Sequence, residues 1–108
     1  MDALYQDSVN RIIVPLYDRD DNELSASLFP RAQYIIADKL GRIRLSLETG
    51  EGISNIDDRF VIQVDGDALA SIQGFFTHQF VVWNVANEKL PPTFQQSIEV
   101  KRTITNDS

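Results

Sequence analysis

Gly74 to Asn84 reads GFFTHQFVVWN, and the fold turns on how its side chains are shared between two faces. Read as a strand, it places Phe76, His78, Phe80 and Val82 in one row and Phe75, Thr77, Gln79, Val81 and Trp83 in the other. Both rows carry large apolar groups. A strand with one wet face alternates apolar and polar residues, so the second apolar row needs a cover, supplied by the same domain or by another chain.

The flanking sequence also reads as strands. Arg11–Tyr17 (RIIVPLY) is rich in β-branched residues, but Pro15 has no amide hydrogen to give to a ladder, which predicts an edge strand or a break. DRDDNE, from Asp18, is a polar turn. RAQYIIA (Arg31–Ala37) and RIRLSLE (Arg42–Glu48) read as a hairpin across DKLG, where Gly41 supplies a permissive backbone. The second of these alternates best: Ile43, Leu45 and Leu47 are predicted to face the core. TGEG closes it, and RFVIQVD (Arg59–Asp65) offers Phe60, Ile62 and Val64 as its inward row. GDALASIQG suits a short helical turn, with Asp67 as its cap and Gly74 as its stop. VANEKLP is a hairpin loop, and PTFQQSIEVKRTI holds the last strand. About seven short strands with turn signals between them predict an all-β sandwich or small barrel. The expected organisation is an arm over 1–9, one sandwich domain over 10–105 and a flexible tail over 106–108.

Composition narrows the chemistry. The chain has 108 residues, 43% of them hydrophobic and 24% charged, which suits one domain with one core. With no cysteine, disulfides, thiolate metal sites and cysteine nucleophiles are excluded. A formal charge of −6 argues against binding nucleic acid through its phosphates. No run approaches the roughly 20 apolar residues of a membrane span, and MDALYQDSVN lacks the basic and apolar regions of a signal peptide. Neither a membrane partner nor secretion is expected.

Candidate sites are few. Asp18, Asp20 and Asn22 have the spacing that opens a calcium loop, but Glu23 stands where the sharp-turn glycine belongs and Phe29 where the bidentate glutamate does. A solvated turn is the expected reading. Asp57 and Asp58 would make an acidic cluster with Asp65 and Asp67 only if their loops met. His78 is the single histidine, and no nucleophile elbow accompanies it, so it is expected to be a core or core-edge residue hydrogen-bonded through one nitrogen. Gly50 and Gly52 make a turn, since no helix with a lysine follows them. Trp83, Phe75 and Tyr34 could together form an aromatic platform for a sugar. No catalytic residue, metal or cofactor is predicted, and an enzyme is the least favoured class.

In order, PLYDRDDNEL, LFPRAQYIIADKLGRIRLSL, IDDRFVIQV, DALASI, the series Gly74, Phe76, Phe80, Val82, and SIEVKRTIT resemble the small Ig-like β-sandwich virion proteins of tailed bacteriophages. The pattern is similar to the N-terminal domain of phage baseplate upper proteins and covers Asn10 to Thr105. The resemblance implies an Ig-like antiparallel sandwich whose inward row is Phe76, His78, Phe80 and Val82. It carries over no catalytic residues. It implies a structural protein of the virion, in tail, baseplate, neck or as a head decoration, made in the host cytoplasm and working by assembly with other virion proteins or further copies of itself. Phe75, Val81 and Trp83 then become the expected protein interface. The alternative is a carbohydrate- or receptor-binding module.

Overall fold

Asp, Asn and Gly at the reversals decide how the strands connect, and one device recurs. In the computed structural model, which describes residues 3–102, Asp18, Asp38 and Asn84 each open a five-residue reversal. In each, Oδ1 accepts from the backbone N–H groups two and four residues ahead. The N–H three residues ahead donates back to the opening residue's carbonyl. That third residue is Asp21, Gly41 or Asn87, with φ of 62°, 80° and 62°, the left-handed region that Gly, Asn and Asp tolerate best.

Among the described residues, these reversals and the apolar rows between them build ten strands: β1 (Ala3–Tyr5), β2 (Val9–Val14), β3 (Leu16–Tyr17), β4 (Glu23–Leu24), β5 (Arg31–Ala37), β6 (Ile43–Thr49), β7 (Gly52–Ile56), β8 (Arg59–Asp65), β9 (Gly74–Trp83) and β10 (Phe94–Lys101). β3 and β4 form a separate ribbon; the other eight run in the order β1-β10-β9-β5-β6-β7-β8-β2. The sheet folds over between β6 and β7 into a β-sandwich that is nearly a barrel. Pro15 divides β2 from β3, and β2 lies at a sheet edge, both as the missing amide requires.

Between the layers lies one core. Phe60, Ile62 and Val64 of β8 face Phe76, Phe80 and Val82 of β9, with Tyr34 and Ile36 of β5 and Ile98 and Val100 of β10. The Phe60 and Phe80 rings are 5.5 Å apart across it, within the range of favourable aromatic pairs. The inward rows expected for β8 and β9 are therefore correct.

Four expectations need correction. Leu45 and Leu47 pack against the core, but Ile43 is 60% exposed. Leu45 lies opposite Ile36 while Ile43 lies opposite Ala37, so Arg44 is an extra residue, a β-bulge that turns Ile43 to the outer face. The sandwich is not wholly antiparallel: β1 runs parallel to β10, and β6 to β7, where Gly50 and Gly52 (φ 87° and 97°) kink the chain without reversing it. The stretch expected to be an arm contributes β1, whose Leu4 is fully buried. Finally, Gly66–Leu69 is a 3-10 turn with Asp67 inside it, and Gly74 opens β9 instead of stopping the turn. Residues 106–108 lie outside the described residues.

Gly66 sits beneath the chain that links β1 to β2. A Cβ there would collide with the carbonyl of Gln6 and crowd the Ser8 amide. Gln6 Nε2 also donates to the carbonyls of Leu69 and Ile72, at 3.1 and 2.6 Å. Gly66→Ala is predicted to destabilise the fold by about 1–3 kcal/mol, through backbone overpacking; urea denaturation of the purified variant measures it.

Candidate interface and the buried histidine

The outer face of β10-β9-β5-β6 is where the second apolar row of β9 emerges. Phe75 is 62% exposed. Trp83 is half-buried: it pairs with Arg31 of β5, whose guanidinium lies 4.1 Å from the ring centroid, and Lys89 approaches the ring at 5.8 Å. Val81 is 1% exposed. β5 flanks it on one side, and on the other the returning segment gives the Leu90 and Thr93 amides to the Val82 and Phe80 carbonyls. The three residues expected to make one patch are thus not equivalent. Phe75 is available, Trp83 has two cations close to its ring, and Val81 is buried within the outer row, apart from the core between the layers.

What the outer face does offer was hidden by the bulge. Across it, Ser97, Thr77, Ala37 and Ile43 form one row, and Gln95, Gln79, Ile35 and Ser46 the next. Neither row contains a charge, in a chain where 24% of residues are charged. Ile35, Ala37, Ile43, Thr77, Gln79 and Gln95 line a shallow depression of about 280 Å³. Phe75 stands on the next row, beside Glu99. Loss of charge with retained apolar and amide groups is what distinguishes the centre of an interface from ordinary surface. The signal was present in the alternate residues of β5 and β9, but Ile43 joins them only through the bulge.

His78 is 1% exposed and lies on the inner face. Its Nδ1 is 2.8 Å from the Tyr34 hydroxyl, and its ring packs against Phe94, with centroids 4.7 Å apart. Nε2 has no hydrogen-bond partner among the described residues. If Tyr34 donates to Nδ1, both buried groups keep one bond and the ring stays neutral with its proton on Nε2. Burial holds the imidazole pKa down at about 4 and pushes the Tyr34 phenol up. A shallow groove of about 220 Å³ between β2 and β10 runs over His78, lined also by Ile12, Val14, Pro15, Phe94 and Gln96. The reading of His78 as a core residue hydrogen-bonded through one nitrogen is therefore right.

The remaining candidates disperse. Asp18 spends its carboxylate on its own turn, accepting from Asp20 and Asn22, and these bonds hold its pKa below the usual range. Asp57 and Asp58 precede β8 while Asp65 ends it and Asp67 follows, so the two acidic pairs sit at opposite ends of a seven-residue strand. Tyr34 is wholly buried and Phe75 exposed, so they form no shared sugar platform with Trp83. Arg59 instead makes a two-pronged pair with Glu23, at 2.9 and 2.6 Å, tying the β3-β4 ribbon to β8.

The chain is an all-β sandwich whose outer face carries two adjacent charge-free rows, and no family model, curated protein or solved structure matches it.

Proposed function

We propose that this chain is an assembly subunit, a binding domain without chemistry of its own, and that its working surface is the outer face of β10-β9-β5-β6. The observation that carries the reading is the pair of charge-free rows, one of which contains Ile43 and is bordered by Phe75, both about 60% exposed. Val9, Ile13, Tyr17, Leu28, Ile56 and Val85 are exposed singly elsewhere, as apolar groups on a solvated surface usually are, whereas Phe75 and Ile43 stand on one face beside rows of uncharged residues. The net charge of −6 keeps free subunits apart and soluble until that face is engaged.

The resemblance in sequence pattern extends the proposal to a structural protein of a tailed-phage virion. Support for an Ig-like fold comes from the strand order. β2-β8-β7 on one side and β6-β5-β9-β10 on the other, with β1 beside β10, follow the order of immunoglobulin-like sandwiches. Mass spectrometry of purified particles tests the virion reading; absence of the chain from them would remove it.

Two substitutions separate surface from core. Phe75→Asp is expected to change folding stability by no more than about 0.5 kcal/mol, because the side chain is mostly in water already, yet to abolish incorporation into particles. Val81→Asp, on the same strand row, is expected to destabilise by about 3 kcal/mol or more, because it buries a carboxylate. Equal thermal losses for both would refute the division of this row into surface and interior.

A further inference from the structure

We infer that the partner of this face is a second copy of the same chain, packed face to face about a twofold axis running parallel to the strands. The inference rests on the assembly reading and adds to it the identity of the partner and the pairing.

Self-complementarity is the argument. A twofold interface meets itself, so every knob on the patch must find its hole on the same patch. An axis along the strands, between β9 and β5, lays β10 of one copy over β6 of the other and β9 over β5. Ser97 then faces the partner's Ile43, Thr77 its Ala37, and Gln79 its Ile35, so no charge opposes a like charge in the two central rows. Phe75 falls over the partner's 38–42 reversal, where Leu40 is 77% exposed, beside the depression lined by Ala37 and Ile43.

The rim is complementary as well. Glu99 lies level with Phe75 on β10, and this axis brings it over the start of the partner's β6. There the reversal carries Lys39, Arg42 and Arg44 against one anion, Asp38, which is 3.2 Å from Arg42 and 3.9 Å from Arg44. In a chain of net charge −6, this locally cationic corner, level with Glu99 on the far side of the face, orients two acidic molecules that would otherwise repel. A face four strands wide and about seven residues long spans roughly 19 by 23 Å. At roughly 440 Å² per copy that is about half the ~800 Å² per partner of a standard stable interface, so association is expected to be weak and to depend on concentration over roughly 1 µM to 1 mM.

Sedimentation equilibrium of the purified chain, with folding of each variant checked by circular dichroism, tests it. The wild type is expected to be a reversible monomer–dimer mixture, and Phe75→Asp to weaken the dimer at least tenfold. Glu99→Lys and Arg42→Glu are each expected to weaken it, and the double charge exchange in one chain to restore it, since each rim then pairs again. A wild type that stays monomeric, a dimer indifferent to Phe75→Asp, or a double exchange that fails to recover would overturn the inference. A monomer that still enters virions, with entry lost in Phe75→Asp, would overturn the twofold dimer while leaving the assembly reading in place.

Discussion

Replacing Asn10 by alanine is expected to cost about 3 kcal/mol of folding stability, a large loss for one small polar side chain. Asn10 is buried where β1 turns into β2. Its Oδ1 accepts from the Tyr5 amide at 2.9 Å, and its Nδ2 lies 3.0, 3.2 and 3.1 Å from the carbonyls of Tyr5, Ser8 and Val64. One side chain thus ties together backbone groups of three segments: β1, the β1–β2 turn and β8. Alanine would take one partner from each of these groups; the Tyr5 carbonyl keeps the Ser8 amide at 3.4 Å, and each group left unpaired where water cannot reach costs about 1–3 kcal/mol. β1 holds only three residues in register with β10, so the loss is expected to release it first. Hydrogen exchange should show this as faster exchange of the Gln6 amide, which donates to the Lys101 carbonyl, before β8 and β9 are affected. Asn10→Asp is expected to be worse than alanine near neutral pH, because it sets a carboxylate oxygen against three carbonyls, and to recover partly in acid. Urea titrations of both variants at two pH values check the order. A loss below about 1 kcal/mol for alanine would mean that water replaces the side chain.

How far the sequence reveals this fold depends on how local each cause is. The inward rows of β8 and β9 are legible because seven to ten residues alternate without interruption, and one period then fixes every side chain. The break at Pro15 and the reversal at Gly41 are legible because each follows from one residue's covalent geometry. Ile43 is not, because a bulge depends on the partner strand: nothing within RIRLSLE marks Arg44 as the extra residue. β1 is too short to show a period, and its place beside β10 is fixed by Asn10, by Gln6 and by the close approach at Gly66, all distant contacts. β7 buries one residue deeply, Ile53, and so carries no pattern to read. Val81 illustrates the limit for the site. Alternation assigns it correctly to the outer row, but not its burial there, which only the three-dimensional arrangement reveals. The candidate face is legible in its β9 and β5 members and hidden in its β6 member for the same reason.

Acidification from about pH 7.5 to pH 5 is expected to remove about 2 kcal/mol of folding stability, and His78 is the cause. In the folded chain burial holds its pKa at about 4, while an unfolded histidine titrates near its ordinary 6.5. Between those values the unfolded chain binds a proton that the folded chain refuses, so stability falls as pH falls. The loss begins near pH 6.5 and reaches about 3 kcal/mol by pH 4, where the folded imidazole itself begins to protonate. Carboxylates with lowered pKa values, Asp18, Glu23 and Asp38, add to acid destabilisation in the same direction, but their ordinary values of 3.8 to 4.5 put that contribution mainly below pH 5. The window from pH 7.5 to 5 therefore isolates the histidine. His78→Phe alone would strand the Tyr34 hydroxyl, which lies 2.8 Å from Nδ1, so the informative variant removes both polar groups, as Tyr34→Phe with His78→Leu. That pair is expected to lose less stability at pH 7.5 than His78→Leu does alone, and to have a nearly flat profile down to pH 5. Chemical denaturation at half-unit pH intervals measures both curves. A wild-type profile already flat over this window would mean that the folded imidazole accepts its proton near 6.5, and hence that water reaches Nε2 through the groove between β2 and β10.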